Sequence, residues 1–344
     1  MEWSRSVAES HTAAVGVPLP ADQPALAHDG SADPRITWVN AAAAALWERP
    51  PDRFVGIPSR WTALPGDRAA RAQALATHEV AVGYSGVRVS ATGRRFRIED
   101  ATIWPVGTSG AQAATFPTWT ALSRTRIEAL CTTFNEVTAA LSAGADRIEL
   151  CVSPELGGVT PPVSLTRRAV GAAGEAGVGV MVMIRPRGGD FDYTAAEIDS
   201  MRRSIDEAVS AGAAGVVLGC LTSGGRVDEA VTAYLVRRAG GPVTFHRAID
   251  ETPDPVDAAR AVAQLGCDRI LTSGGAATAA QGREMIATMR AAVPITVMAG
   301  SGVAPENVAE LVADTGVTEV HGSFRAGPRC LVAKVRAHLP DGAD

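Results

Sequence analysis

From about residue 126 the chain repeats one pattern: a short Val/Ile-rich run, a glycine-bearing turn, and an Ala-rich segment with helical spacing. Short apolar runs bounded by turn residues are what strands buried on both faces of a parallel sheet require. Glycines placed to end helices precede several of these runs, at Gly144, Gly212, Gly266 and Gly316, where the left-handed conformation carries no Cβ penalty. Candidate strands begin near Ile127, Arg147, Val180, Gly215, Val243, Arg269, Ile295 and Glu319. Eight alternating units predict an α/β fold, a parallel (β/α)8 TIM barrel over residues 124–340. An open doubly wound sheet is the alternative, but no GxGxxG fingerprint follows the first strand.

The first 120 residues follow another pattern. Arg35–Asn40 alternates like a strand, and Asn40 stands where it can cap an Ala-rich helix over Ala41–Glu48. Val87–Ser90 and Arg95–Trp104 predict an antiparallel hairpin around Ala91-Thr92-Gly93. A strand leading into a capped helix, followed by meandering strands, predicts an N-terminal α+β PAS-like domain over residues 1–120. The style changes around 107–126; Gly107–Phe116 reads as a domain edge, with Trp119 packing back onto the first domain.

Composition narrows the function classes. The net charge of −5 gives no general attraction to nucleic acid or anionic lipid. No stretch approaches the about 18 consecutive apolar residues of a membrane helix, and Glu2, Arg5 and Glu9 interrupt any signal-peptide core. The expectation is a cytoplasmic protein with no nucleic-acid or membrane partner, its oligomeric state open. The five cysteines, Cys131, Cys151, Cys220, Cys267 and Cys330, are odd in number and widely spaced, against a disulfide framework or structural zinc. In the N-terminal region His11, His28 and His78 sit in polar or small-residue settings and read as exposed histidines.

Alternation along each barrel strand selects the side chains that point to the axis. With Ile148 and Leu150 facing the helices, Glu149 and Cys151 face in; with Val182 and Ile184 out, Met183 and Arg185 face in. Thr244 and His246 face in between Val243 and Phe245, and His321 faces in beside Val320. The parity thus delivers Glu149, Arg185, His246 and His321 to one mouth, with Arg247, Asp250 and Ser273 at or just past strand ends. A carboxylate, a guanidinium and two imidazoles suit acid–base work on an anionic substrate, while a buried Glu149–Arg185 ion pair of purely structural purpose is the bland alternative. The turns Ser273-Gly274, Gly300-Ser301-Gly302 and Gly322-Ser323 can cradle a phosphate or can serve only to turn the chain.

Long strings here resemble a known family. Gly144-Ala-Asp-Arg-Ile-Glu-Leu-Cys151, Gly157-Gly-Val-Thr-Pro161, Met181-Val-Met-Ile-Arg-Pro-Arg-Gly-Gly-Asp190 and Val243-Thr-Phe-His-Arg-Ala-Ile-Asp250 resemble the CutC family. Arg269–Gly274, Met298–Gly302 and Val320–Ser323 extend the resemblance over about Arg126 to Leu339. It implies a copper-homeostasis barrel with a Cu(I) site at Cys131 and Cys151, soft thiolates being suited to Cu(I). Trp38-Val-Asn40, Leu46-Trp-Glu48, Tyr84–Arg88, Gly93–Thr102 and Gln112–Phe116 resemble the MEKHLA domain, which is PAS-related and implies a sensory or regulatory role. Two readings follow: a copper-homeostasis protein that binds Cu(I), or a barrel enzyme acting on a small anionic, phosphorylated or not, molecule. In the second, Glu149 and His246 transfer protons, and Asp250 and His321 join the catalytic set.

Overall fold

The computed structural model describes residues 2–68, 72–73, 79–122, 124–323 and 328–339. The chain divides into two compact units, one formed by residues 1–123 and the other beginning at Arg124. His78 lies outside the described residues, as does the side chain of Cys330.

The first unit is an antiparallel sheet ordered β2-β1-β5-β4-β3, with strands β1 Ala25–His28, β2 Ile36–Val39, β3 Ala81–Val89, β4 Arg95–Pro105 and β5 Gln112–Thr115; β6 Thr118–Ala121 also pairs with β4. Asn40 caps the helix Ala41–Leu46 by accepting from the Ala43 N–H. Trp47, buried at the end of that helix, meets Phe54, Phe96 and Phe116 at ring separations of 5.1–5.9 Å and centres the core. The segment expected to be a domain edge is instead the turn between β4 and β5, with Gly107 and Gly110 at positive φ. Strand β3 starts six residues before the expected hairpin because Gly83, Ser85 and Gly86 obscure its alternation, and its pairing with β4 shifts register there. His11 and His28 are buried, not exposed. Each engages a backbone carbonyl through Nδ1, of Val17 and Asp29 respectively, and His11 packs edge-on against Trp104 at 4.7 Å.

The second unit is a closed parallel barrel of eight strands. These are β7 Arg126–Cys131, β8 Arg147–Leu150, β9 Gly179–Met183, β10 Gly215–Leu218, β11 Val243–Phe245, β12 Arg269–Thr272, β13 Thr296–Ala299 and β14 Glu319–Gly322. Each start falls within one residue of the position read from the hydrophobic pattern. Helices follow the strands, several with side-chain N-caps; Thr194 and Glu197 form a reciprocal capping box.

Charge fills the lower barrel interior. The Arg147 guanidinium donates to Glu128 and to Glu319, Arg269 donates to Glu319 at 2.7 Å and to Thr244 at 3.1 Å, and Arg126 pairs with Glu319. Glu128, Arg147, Arg269 and Glu319 are all at most 3% exposed. Ions so deeply desolvated persist only when paired, so this lattice specifies the strand register at the barrel floor.

Candidate active site

Above that lattice, at the C-terminal ends of the strands, opens a cavity of about 910 Å³. Glu149 from β8, Arg185 past β9, His246 past β11, Asp250 and, from β14, His321 all line it. Leu130, Met183, Leu271 and Val303 supply apolar wall.

Glu149 and His321 form the acid–base side. The His321 Nδ1 lies 2.9 Å from Glu128 Oε1 and 4.0 Å from Glu149 Oε2. Burial pushes the Glu149 carboxyl up to about 7, with Glu128 adding to the rise and His321 opposing it. Burial would lift Glu128 as well, but Arg147 and His321 override it and hold this carboxylate down at about 2. For His321 burial opposes charge, yet Glu149 and Glu128 outweigh it and raise the imidazole pKa. The two carboxyls, on adjacent strands, are thereby pushed in opposite directions, Glu128 toward the ionised form and Glu149 toward the protonated one. Glu128 is not among the candidates the sequence offers; on β7 it shares the inner face with Leu130.

Arg185, past the strand adjacent to that of Glu149, and His246, two strands further on, continue the wall. The Arg185 guanidinium donates to the carbonyls of Leu156, Gly158 and Gly189 and lies over the Phe191 ring at 4.6 Å. It does not pair with Glu149, and no carboxylate of the described residues bridges it. Gly157 makes room for it, since a Cβ there would stand 2.6 Å from Nη1. Burial, reinforced by Arg185, drives the His246 pKa down to about 3, so its imidazole is neutral at ordinary pH. The Ala248 N–H donates to His246 Nδ1 at 3.2 Å, which places the ring proton on Nε2. His246 is thus a neutral hydrogen-bond donor, not the proton-transfer group expected from sequence.

The remaining expected residues divide. Gly302, Gly322 and Ser323 line the cavity, as does Ser301; Ser273, Gly274 and Gly300 do not. Gly300 backs His321, and Gly274 packs against the Gly282 backbone. Asp250 reaches the cavity, but its carboxylate accepts from the Thr272 and Ser273 hydroxyls, the Ser273 and Gly275 N–H groups and Arg247. With both oxygens engaged, Asp250 fixes the loop after β12 and leaves no lone pair suited to proton transfer.

Cys131 and Cys151 stand at the ends of adjacent strands, where the Cys151 N–H donates to the Cys131 carbonyl at 3.1 Å. Glu128 and Leu130 take the inner positions of β7, so alternation turns Cys131 to the helix-facing side, where burial raises its thiol pKa well above the usual range. Cys151 has the inward parity and sits beneath Gly158, beside Met183.

Fold and cavity define a (β/α)8 barrel protein with a polar, acid–base-bearing mouth. The CutC family profile matches residues 125–326, and a MEKHLA domain profile matches residues 4–121. A CutC family protein of Caulobacter vibrioides is 45% identical over 193 residues, covering 55% of this chain and 77% of that protein. One from Pasteurella multocida is 43% identical over 199 residues, covering 57% and 80%. The crystal structure of a Streptococcus agalactiae protein, provisionally described as the copper homeostasis protein CutC, superimposes with a TM-score of 0.56 at 32% identity, covering 58% of this chain and 98% of that one. The chain belongs to the CutC family, here joined to a MEKHLA domain.

Proposed function

We propose that the barrel is a cytoplasmic enzyme acting by proton transfer on a small anionic molecule. The observation that carries this reading is Glu149. Its carboxyl is 1% exposed, its Oε2 has no hydrogen-bond partner among the described residues, and it lies 4.0 Å from His321 on the wall of an otherwise desolvated cavity. Buried carboxyls poised near neutrality are suited to general acid–base catalysis. Arg185 supplies the charge for the ligand's anion. Thermal unfolding in the presence of phosphate, pyruvate, oxalate and ribose 5-phosphate tests it. At least one should raise Tm by about 2 °C or more in the wild type and leave Arg185→Met unmoved. No stabilisation by any of the four would sink the reading, provided circular dichroism shows Arg185→Met folded.

A second reading, copper handling of the kind named for the Streptococcus agalactiae relative, is favoured by one feature. A Cβ on Gly158 would stand 3.2 Å from Cys151 Sγ and 3.7 Å from Met183 Cε, so a thiol and a thioether neighbour one another on the inner face. Soft sulfur donors suit Cu(I), and Cys151 with Met183 would hold it. Cu(I) titration under a competing chelator should then show tight binding that is lost in Cys151→Ser and retained in Cys131→Ser. Binding indifferent to Cys151 would rule this site out. The MEKHLA domain is read as a sensory module. Co-purification of a small molecule with it would support sensing, and a colourless, ligand-free preparation would favour an interaction role.

A further inference from the structure

The two sides of the cavity call for different parts of one ligand. Strand order places Glu149 on β8 and His246 past β11, three strands apart in the ring of eight, so they stand on opposing sides of the mouth. On the His246 side, the Nδ1 face is occupied by the Ala248 N–H and closed by Gly219. That leaves Nε2–H, which is buried without a partner among the described residues. A donor buried without an acceptor is unfavourable, so it is matched to a ligand acceptor. Beside it, Arg185 is a buried cation that donates to carbonyls and lies over an aromatic ring, with no carboxylate bridging it among the described residues. A permanent cation suits a permanent anion, whereas a neutral donor suits an oxygen whose negative charge develops during reaction.

We propose that the mouth takes a small carboxylate or phosphate ester bearing a C–H bond next to a carbonyl group. Arg185 binds the anionic group, His246 Nε2–H donates to the carbonyl oxygen, and Glu149 moves the proton. The proposal rests on the acid–base reading above and names its substrate class. In the forward step the C–H bond breaks and its proton passes to a Glu149 carboxylate oxygen. The bonding pair becomes the C=C bond of an enolate, and the carbonyl π pair moves to the oxygen held by His246. Return of the proton to the same carbon gives exchange or epimerisation. Where that carbon carries a hydroxyl, its O–H proton passes to the oxygen held by His246, its C–O bond becomes the new carbonyl, and the carbon-bound proton is delivered to the former carbonyl carbon, which gives isomerisation. No electrons are gained or lost overall, so no redox partner is needed. Leu130, Met183 and Leu271 form apolar wall in the same cavity.

The test is solvent deuterium exchange by the full-length protein, followed by proton NMR. The probes are pyruvate, 2-oxobutyrate, dihydroxyacetone phosphate and ribose 5-phosphate in buffered D2O. At least one should lose its C–H signal faster than in buffer alone, with the rate falling at least a hundredfold in Glu149→Gln and by about 10²-fold in His246→Ala. Because either variant can lose its fold, a second measurement stands alone: long-range 15N–1H correlation of the His246 ring in the wild type. A neutral Nε2–H tautomer between pH 5 and 8 is expected, and an Nδ1–H tautomer, or titration near 6.5, overturns the assigned role. If no probe exchanges, yet anions still stabilise the protein through Arg185, enolisation fails while the acid–base reading stands. If neither occurs, both fail.

Discussion

Gly219 lies so close to His246 that a Cβ on the glycine would stand 2.5 Å from Nδ1 and 2.6 Å from Cε1 of the ring. The imidazole therefore occupies the space a side chain on the neighbouring strand would have filled. Gly219→Ala must displace the ring or the strand, and overpacking of this kind costs about 1–3 kcal/mol. Chemical denaturation of Gly219→Ala, His246→Ala and the double variant should give a non-additive cycle, the alanine being tolerated once the ring is removed. Additive effects would mean that the glycine serves the backbone alone.

Glu149 makes stability depend on pH in one direction. Its folded pKa is raised from 4.5 to about 7, so its contribution is intact below the lower value and is lost as pH rises through the upper one. Glu149→Gln, similar in shape and never charged, escapes that loss. Its stability relative to wild type should climb between pH 5 and 8, by up to about 3 kcal/mol. A pH-independent difference in Tm would show that the carboxyl is not perturbed.

His246 acts in the opposite sense. Its pKa is depressed from 6.5 to about 3, so stability is full above 6.5 and declines as pH falls toward 3. His246→Gln has no proton to take up. Its unfolding midpoint in urea should fall less steeply than that of wild type between pH 6 and 4, and parallel curves would contradict the assignment.

At the barrel floor, Glu319 is shared by Arg126, Arg147 and Arg269. Replacing it with Gln leaves these buried guanidinium groups short of a counter-charge, at a cost of about 3–5 kcal/mol. Denaturation should show a loss of that size, larger than for Glu149→Gln at any pH.

Much of this was legible in the chain. Eight strand starts follow from glycine-punctuated apolar runs because parallel strands buried on both faces leave that mark and little else. Period-two alternation then assigns Glu149, Arg185, His246 and His321 to the axis. Their roles were not legible. The tautomer of His246 depends on an amide two residues on, and the engagement of Asp250 depends on how a loop from another strand folds around it. The facing of Cys131 was not legible, because a motif names a residue type while one position of register decides which side of the sheet it reaches. The need for glycine at 219 and 157 was not legible either, since the clash that forbids a side chain there comes from a different strand.

The charged lattice inside the barrel also ties architecture to chemistry. Glu319 binds Arg147, Arg147 binds Glu128, and Glu128 holds His321 against Glu149, so the floor and the mouth share one electrostatic chain. A substitution at the floor alters proton affinity at the mouth, and a change at the mouth loads the floor. Natural variation in such a barrel cannot retune acidity and robustness separately. A substitution at either end of that chain is therefore felt at both, in acidity and in robustness alike.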